Sequence, residues 1–147
     1  MSIAVNTKND VFLLNTKSTS YAFGVDDRGL IRHLYWGKRI DSVEELEIPQ
    51  LTEVSTNDPV FEITKEEFPV HGGLRYKEHC LKATFADGTR ELVYQYCGYD
   101  VEKAEDWEEL IVHLRDDHYE FFMDLRYRVY PQYDLICLLY TSDAADD

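Results

Sequence analysis

The chain is predicted to be all-β: an antiparallel β-sandwich, supersandwich-like, incomplete at its C-terminal end. Three observations carry the prediction. Apolar and polar residues alternate at period two in several segments, most clearly over residues 121–129. Turn signals recur at intervals of about eight to twelve residues, the spacing of short strands in a two-sheet fold. Aromatic residues are 14% of the 147, with 11 tyrosines, a composition that favours pleated surfaces. No segment shows three turns of helical periodicity.

The elements follow in order. Residues 11–14 are a short apolar run after the polar 6–10. Residues 17–19 turn the chain, and Tyr21, Phe23 and Val25 then alternate with Ala22 and Gly24 as a strand. Asp26-Asp27-Arg28-Gly29 is a turn, and residues 30–36 form the next strand, with Leu30, Leu34 and Trp36 expected on the face of Arg32. Residues 41–67 hold nine acids, one lysine, Pro49 and Pro59, and read as a long acidic connection. Residues 77–85 and 91–98 flank Ala86-Asp87-Gly88-Thr89-Arg90 and read as a hairpin, because glycine takes positive φ without a Cβ clash. Leu110, Val112 and Leu114 alternate with Ile111, His113 and Arg115. After a turn at 116–118, Phe121, Met123, Leu125, Tyr127 and Val129 share one face, opposite Asp124, Arg126 and Arg128. A last strand begins near Tyr133 and includes Ile136.

The net charge of −14 disfavours nucleic-acid backbones and anionic membranes as partners. No stretch is apolar enough to span a bilayer, and the start lacks a basic segment followed by a long apolar run, so the expected location is the cytoplasm. Cys80, Cys97 and Cys137 lack metal-type spacing and are read as reduced thiols.

Little in the residues points to catalysis. Among 29 acids any glycosidase-like pair can be chosen, so no pair is informative. Asp116-Asp117 is read as a solvated turn. His113 and His118 would need a third convergent ligand to hold a metal, and no metal or other cofactor is expected. Ser18 and Ser20 lie in no nucleophile elbow. Gly72-Gly73 lacks the following helix of a phosphate loop. Arg75, beside those glycines, is the candidate substrate-binding residue. Its guanidinium suits a ligand hydroxyl or carboxylate, and pairing with the acidic connection is the favoured structural alternative. Tyr21, Tyr35, Trp36, Tyr76, Tyr94, Tyr96, Tyr99 and Trp107 could stack on sugars, but aromatics in strands are more often core.

Several stretches taken together resemble the N-terminal β-domain of glycoside hydrolase family 36, the α-galactosidases. Phe12-Leu-Leu with Thr19-Ser20-Tyr21 resembles the opening strand pair. Gly29-Leu-Ile-Arg-His33-Leu-Tyr-Trp-Gly37 resembles the family's G-x-L-x-H-x-Y-x-G segment. Glu66-Glu67-Phe68-Pro69 through Arg75, then Asp116, Leu125-Arg-Tyr127 and Asp134-Leu-Ile136, resemble later motifs in order. The resemblance covers about residues 3 to 136. It implies a retaining enzyme acting on terminal α-galactosides, with both catalytic aspartates on a downstream barrel and none in this chain. It also implies packing on that barrel, homo-oligomer contacts and a pocket rim shaped by residues 41–75. Two family aspartates are absent, in Pro49-Gln-Leu51-Thr52 and in Gly72-Gly73-Leu74-Arg75.

Residues 1–136 are therefore expected to be the N-terminal β-sandwich portion of such an enzyme. Residues 137–147 are expected to be non-native, because 137–146 match a translated reading frame of a transposon-end sequencing adapter. The competing readings are a freestanding carbohydrate-binding β-sandwich and a plain interaction module.

Overall fold

The computed structural model describes residues 1–49, 65–71 and 78–144. Among these residues eight strands form two antiparallel four-stranded sheets, as expected for a sandwich. The first sheet has the order β1 (Ile3–Asn6), β2 (Val11–Asn15), β3 (Thr19–Val25) and β4 (Ile31–Lys38). The second has the order β5 (Tyr94–Lys103), β6 (Glu108–Asp116), β7 (Phe121–Tyr130) and β8 (Leu135–Ala144). The only helical element among the described residues is a 3-10 turn, Pro131–Tyr133, closed by Asp134 in the left-handed region at φ 50°. No helix among the described residues is long and apolar enough to cross a membrane.

Period-two patterning explains the core. Phe12, Leu14 and Phe23 from the first sheet meet Leu110, Val112, Leu114, Met123, Leu125 and Tyr127 from the second, and all are buried. Aromatic contacts knit the layers, with Phe23 and Tyr127 ring centroids 4.6 Å apart. The other face of β2 and β3 is covered too. Val11, Leu13 and Ala22 are buried, and Ile48 lies so close over Gly24 that a Cβ there would meet it at 2.9 Å. β1 is a strand that the polar run after Val5 obscured in the sequence.

Two bulges re-aim side chains. Between β3 and β4 the register shifts at Ala22/Phe23, so Phe23 opposes His33 while Ala22 opposes Tyr35. Leu34 is the extra residue. Trp36 therefore opposes Tyr21, and Arg32 opposes Gly24. The expected common face of Leu34, Trp36 and Arg32 is thus broken: Arg32 is buried against Asp26 at 2.7 Å, whereas Trp36 is 76% exposed. The second shift, at Tyr96/Gly98, leaves Cys97 unopposed and turns both Tyr96 and Tyr99 toward Phe12.

The expected hairpin around Gly88 is only half present. The turn forms, with Gly88 at φ 87° and Phe85 N–H donating to Thr89 O at 2.8 Å. The flanking ladder does not. Residues 78–93 bond instead to neighbours on either side: Cys80 N–H to Pro69 O, Leu92 N–H to His71 O, and Val93 N–H to Asp116. Long-range partners override the local strand pairing that the turn would set up.

Candidate functional site

An open groove lies where β3 and β4 meet β7 and β8. It encloses about 330 Å³ and is lined by Tyr21, Trp36, Tyr127, Asp134, Leu135 and Leu138, among others. Two of these lining residues, Tyr21 and Tyr127, belong to a hydrogen-bonded cluster built from four segments. β3 supplies Tyr21, β4 supplies His33, β7 supplies Tyr127, and the chain returning to β4 supplies Glu67. That return is fixed by main-chain bonds, Glu67 N–H to Ile31 O at 3.0 Å and His33 N–H to Lys65 O at 2.9 Å.

Glu67 is the centre of the cluster, its side chain only 2% exposed. Its Oε1 accepts from the Tyr21 hydroxyl at 2.6 Å and the Tyr127 hydroxyl at 2.9 Å, and Oε2 lies 3.2 Å from His33 Nδ1. Burial, reinforced by the Glu67 carboxylate, pushes both phenols far above their ordinary range. The tyrosines therefore stay protonated and act as fixed donors. Above them Trp36 packs edge-on to Tyr21 at 6.2 Å and offers its remaining surface to solvent. Asp134, at the groove's end, is occupied by Ser18, whose N–H and hydroxyl donate to it at 2.7 and 2.9 Å. Such an arrangement suits packing or binding of a flat apolar surface. With its acceptors already engaged, it offers no ready acid–base pair.

The other residues singled out by sequence lie elsewhere. Arg75 falls outside the described residues, as do Tyr76 and both segments that lack the family aspartates, apart from Pro49. Asp116 is buried, not a solvated turn residue. Its Oδ1 accepts from the N–H groups of His118 and Tyr119 at 2.8 and 2.9 Å, and its Oδ2 from Val93 N–H at 2.8 Å. His113 and His118 do not converge. His113 instead bridges Asp124 at 2.7 Å and Asp100 at 3.0 Å. Partial burial alone would lower its pKa, but the two carboxylates outweigh that and raise it. Among the described residues no group of three or more His, Cys, Asp or Glu side chains could hold a metal ion. The three cysteines are unpaired.

Sequence reasoning missed Glu67 as a centre, because its phenol partners lie 46 and 60 residues away. It also missed Glu109, a fully buried carboxylate clasped by Arg126 at 2.5 Å and Arg128 at 2.9 Å. The signal available was the pair of arginines on the outer face of β7.

Comparison with known proteins follows the same lines. The family model described as glycosyl hydrolase family 36 N-terminal domain matches residues 29–142. A protein of Aspergillus terreus named "Probable alpha-galactosidase G" is 26% identical over 148 residues, covering 90% of this chain and 20% of its own length. "Alpha-galactosidase 1" of Pediococcus pentosaceus is 26% identical, covering 87% of this chain and 21% of its own. The crystal structure of the GH36 alpha-galactosidase AgaB from Geobacillus stearothermophilus superposes with a TM-score of 0.81 at 18% identity, over 98% of this chain and 22% of that one. At that identity the likeness is one of fold. The chain spans about a fifth of the length of the curated relatives it matches.

Proposed function

The chain belongs to the glycosyl hydrolase family 36 N-terminal domain family, and from that membership we propose that it is the non-catalytic front portion of an α-galactosidase. The observation that carries the reading is the family match over residues 29–142, joined by relatives named as alpha-galactosidases that are about five times as long. A glycosidase needs two carboxylates flanking an open sugar site. Here Glu67, Glu109, Asp116 and Glu108 are each held by phenols, arginines or main-chain N–H groups. The chemistry is therefore assigned to a catalytic barrel downstream, on which this sandwich packs. The α-galactoside is the substrate of that parent enzyme. Residues 41–75, Arg75 among them, are assigned to the pocket rim and to contacts in a homo-oligomer. The unpaired thiols fit a cytoplasmic parent.

In this reading residues 137–147 remain a read-through from adapter DNA. Pairing of 137–144 along β7 is compatible with it, since a ladder is made by main-chain groups and any β-prone segment can supply them. Sequencing the source gene across the Ile136 codon tests it.

A second reading, a freestanding carbohydrate-binding module, is favoured by the open Trp36 groove. One experiment separates the two. The purified chain is expected to give no hydrolysis of an aryl α-galactoside and no heat on titration with galactose or raffinose, whereas the gene extended through its native frame hydrolyses the same substrate. Turnover by the chain alone would sink the front-portion reading, and saturable sugar binding by the chain alone would favour the second.

A further inference from the structure

Among the described residues β5 pairs with β6 alone, so it is a sheet edge. Its first half is held by the core, since Tyr94 is buried and Tyr96 and Tyr99 pack on Phe12. Its second half is not. Past the bulge at Cys97, Val101 is 44% exposed although it opposes the buried Leu110. The side-chain ties there are ionic: Lys103 to Glu108 at 3.0 Å, Glu102 to Arg126 at 3.8 Å and Asp100 to His113 at 3.0 Å. Lysine, arginine and carboxylates keep their charges through the neutral range, whereas histidine changes charge there.

His113 is the middle of a bridge over three strands. On β6 it opposes Gly98 of β5 and Asp124 of β7. Its Nδ1 lies 2.7 Å from Asp124 Oδ1, and its Nε2 lies 3.0 Å from Asp100 Oδ2. The other charged groups beside it on this face are Arg115, two residues along β6, and Arg126 of β7, which Glu109 and Glu102 engage. Arg128 lies beyond them, paired with Glu109. On β8, Thr141 opposes Asp124 and Asp143 opposes Phe122.

A ring nitrogen hydrogen-bonds a carboxylate only when it carries a proton. Imidazolium has two N–H groups and satisfies both aspartates. Neutral imidazole has one, so one aspartate must face a bare lone pair. Asp124 keeps the donor. Its contact is the shorter, and its side chain is 36% exposed against 73% for Asp100. The less solvated carboxylate loses more when its donor goes.

We propose that His113 is a pH-operated latch on β5: its charged ring ties three strands together, and its neutral ring releases β5 while still holding β7. The proton given up to solvent is the one on Nε2, so neutral His113 is the Nδ1–H form. Residues 98–103 then open more often, and the rest of the sheet is unchanged. The two carboxylates raise the pKa of the ring, so release comes on the alkaline side of the ordinary value of about 6.5. The latch is built from β5, β6 and β7 and does not depend on the family reading.

The intact chain, labelled with 15N, tests both parts. Imidazole 15N shifts followed from pH 5 to 9 should show His113 passing from imidazolium to the Nδ1–H tautomer. Over the same range amide protection at residues 98–103, referred to the unstructured rate at each pH, should fall about three- to five-fold, the size that an exposed ion pair allows. Protection across β7 should hold. Asp100→Asn should remove the pH dependence at 98–103, because its amide accepts from the charged ring and donates to the neutral one. The proposal is overturned by a neutral His113 in the Nε2–H form, by protection at 98–103 that does not change with pH, or by a pH response that Asp100→Asn leaves intact.

Discussion

Glu67 illustrates how one side chain acquires a role that its sequence neighbours do not announce. It accepts from two buried phenols, and removing it strands both hydroxyls in the core. Glu67→Ala is expected to cost about 2–4 kcal/mol, two unmet buried donors at the ordinary penalty each. Glu67→Gln, which keeps an acceptor oxygen, should cost less than half as much. Urea unfolding of the two variants checks the ranking. His113 makes a prediction with a sign. Its pKa is raised by Asp124 and Asp100, so its stabilisation is fully present below the unfolded value of about 6.5 and is lost as pH rises through the raised folded value. His113→Gln should therefore lower stability at pH 5 and change little at pH 9. The effect should stay below about 1 kcal/mol because the pair is partly solvated. A urea midpoint series from pH 5 to 9 tests both arms. The inward positions of β7 were legible because alternation alone assigns them. The partners of Glu67 were not, because no local pattern links positions 21, 67 and 127.

At the scale of elements, the strands that alternate cleanly were readable and the segments fixed by distant partners were not. Residues 77–85 have the composition of a strand and a sound Asp-Gly turn after them, yet residues 78–85 form no ladder. What holds the neighbouring stretch is Asp116, whose carboxylate gathers the N–H groups of Val93, His118 and Tyr119. Asp116→Ala is expected to destabilise by about 2–3 kcal/mol, because buried N–H groups lose their acceptor. The loss should be local, seen as faster amide exchange at those three positions before any change in β7. The bulges were equally hidden. A single extra residue at Leu34 puts Arg32 and Trp36 on opposite faces, and nothing in the alternation of β4 marks where the slip occurs.

For the whole molecule, fold class followed from composition, turn spacing and periodicity, because these report the same physical fact: many short strands with one face on a shared core. The candidate groove did not follow from them. It is lined by Trp36, which a bulge turns outward, by Leu135 and Leu138 of β8, and by Tyr21 and Tyr127, whose hydroxyls the distant Glu67 accepts from. The placement of Glu67 also has a mechanical consequence. Tyr21 and His33 belong to one layer and Tyr127 to the other. A one-residue slide of the layers, about 3.3 Å, would have to break bonds to both at once. The carboxylate thus works as a rivet against shear, stiffening the sandwich along the strand direction while leaving separation of the layers to be resisted by apolar contact.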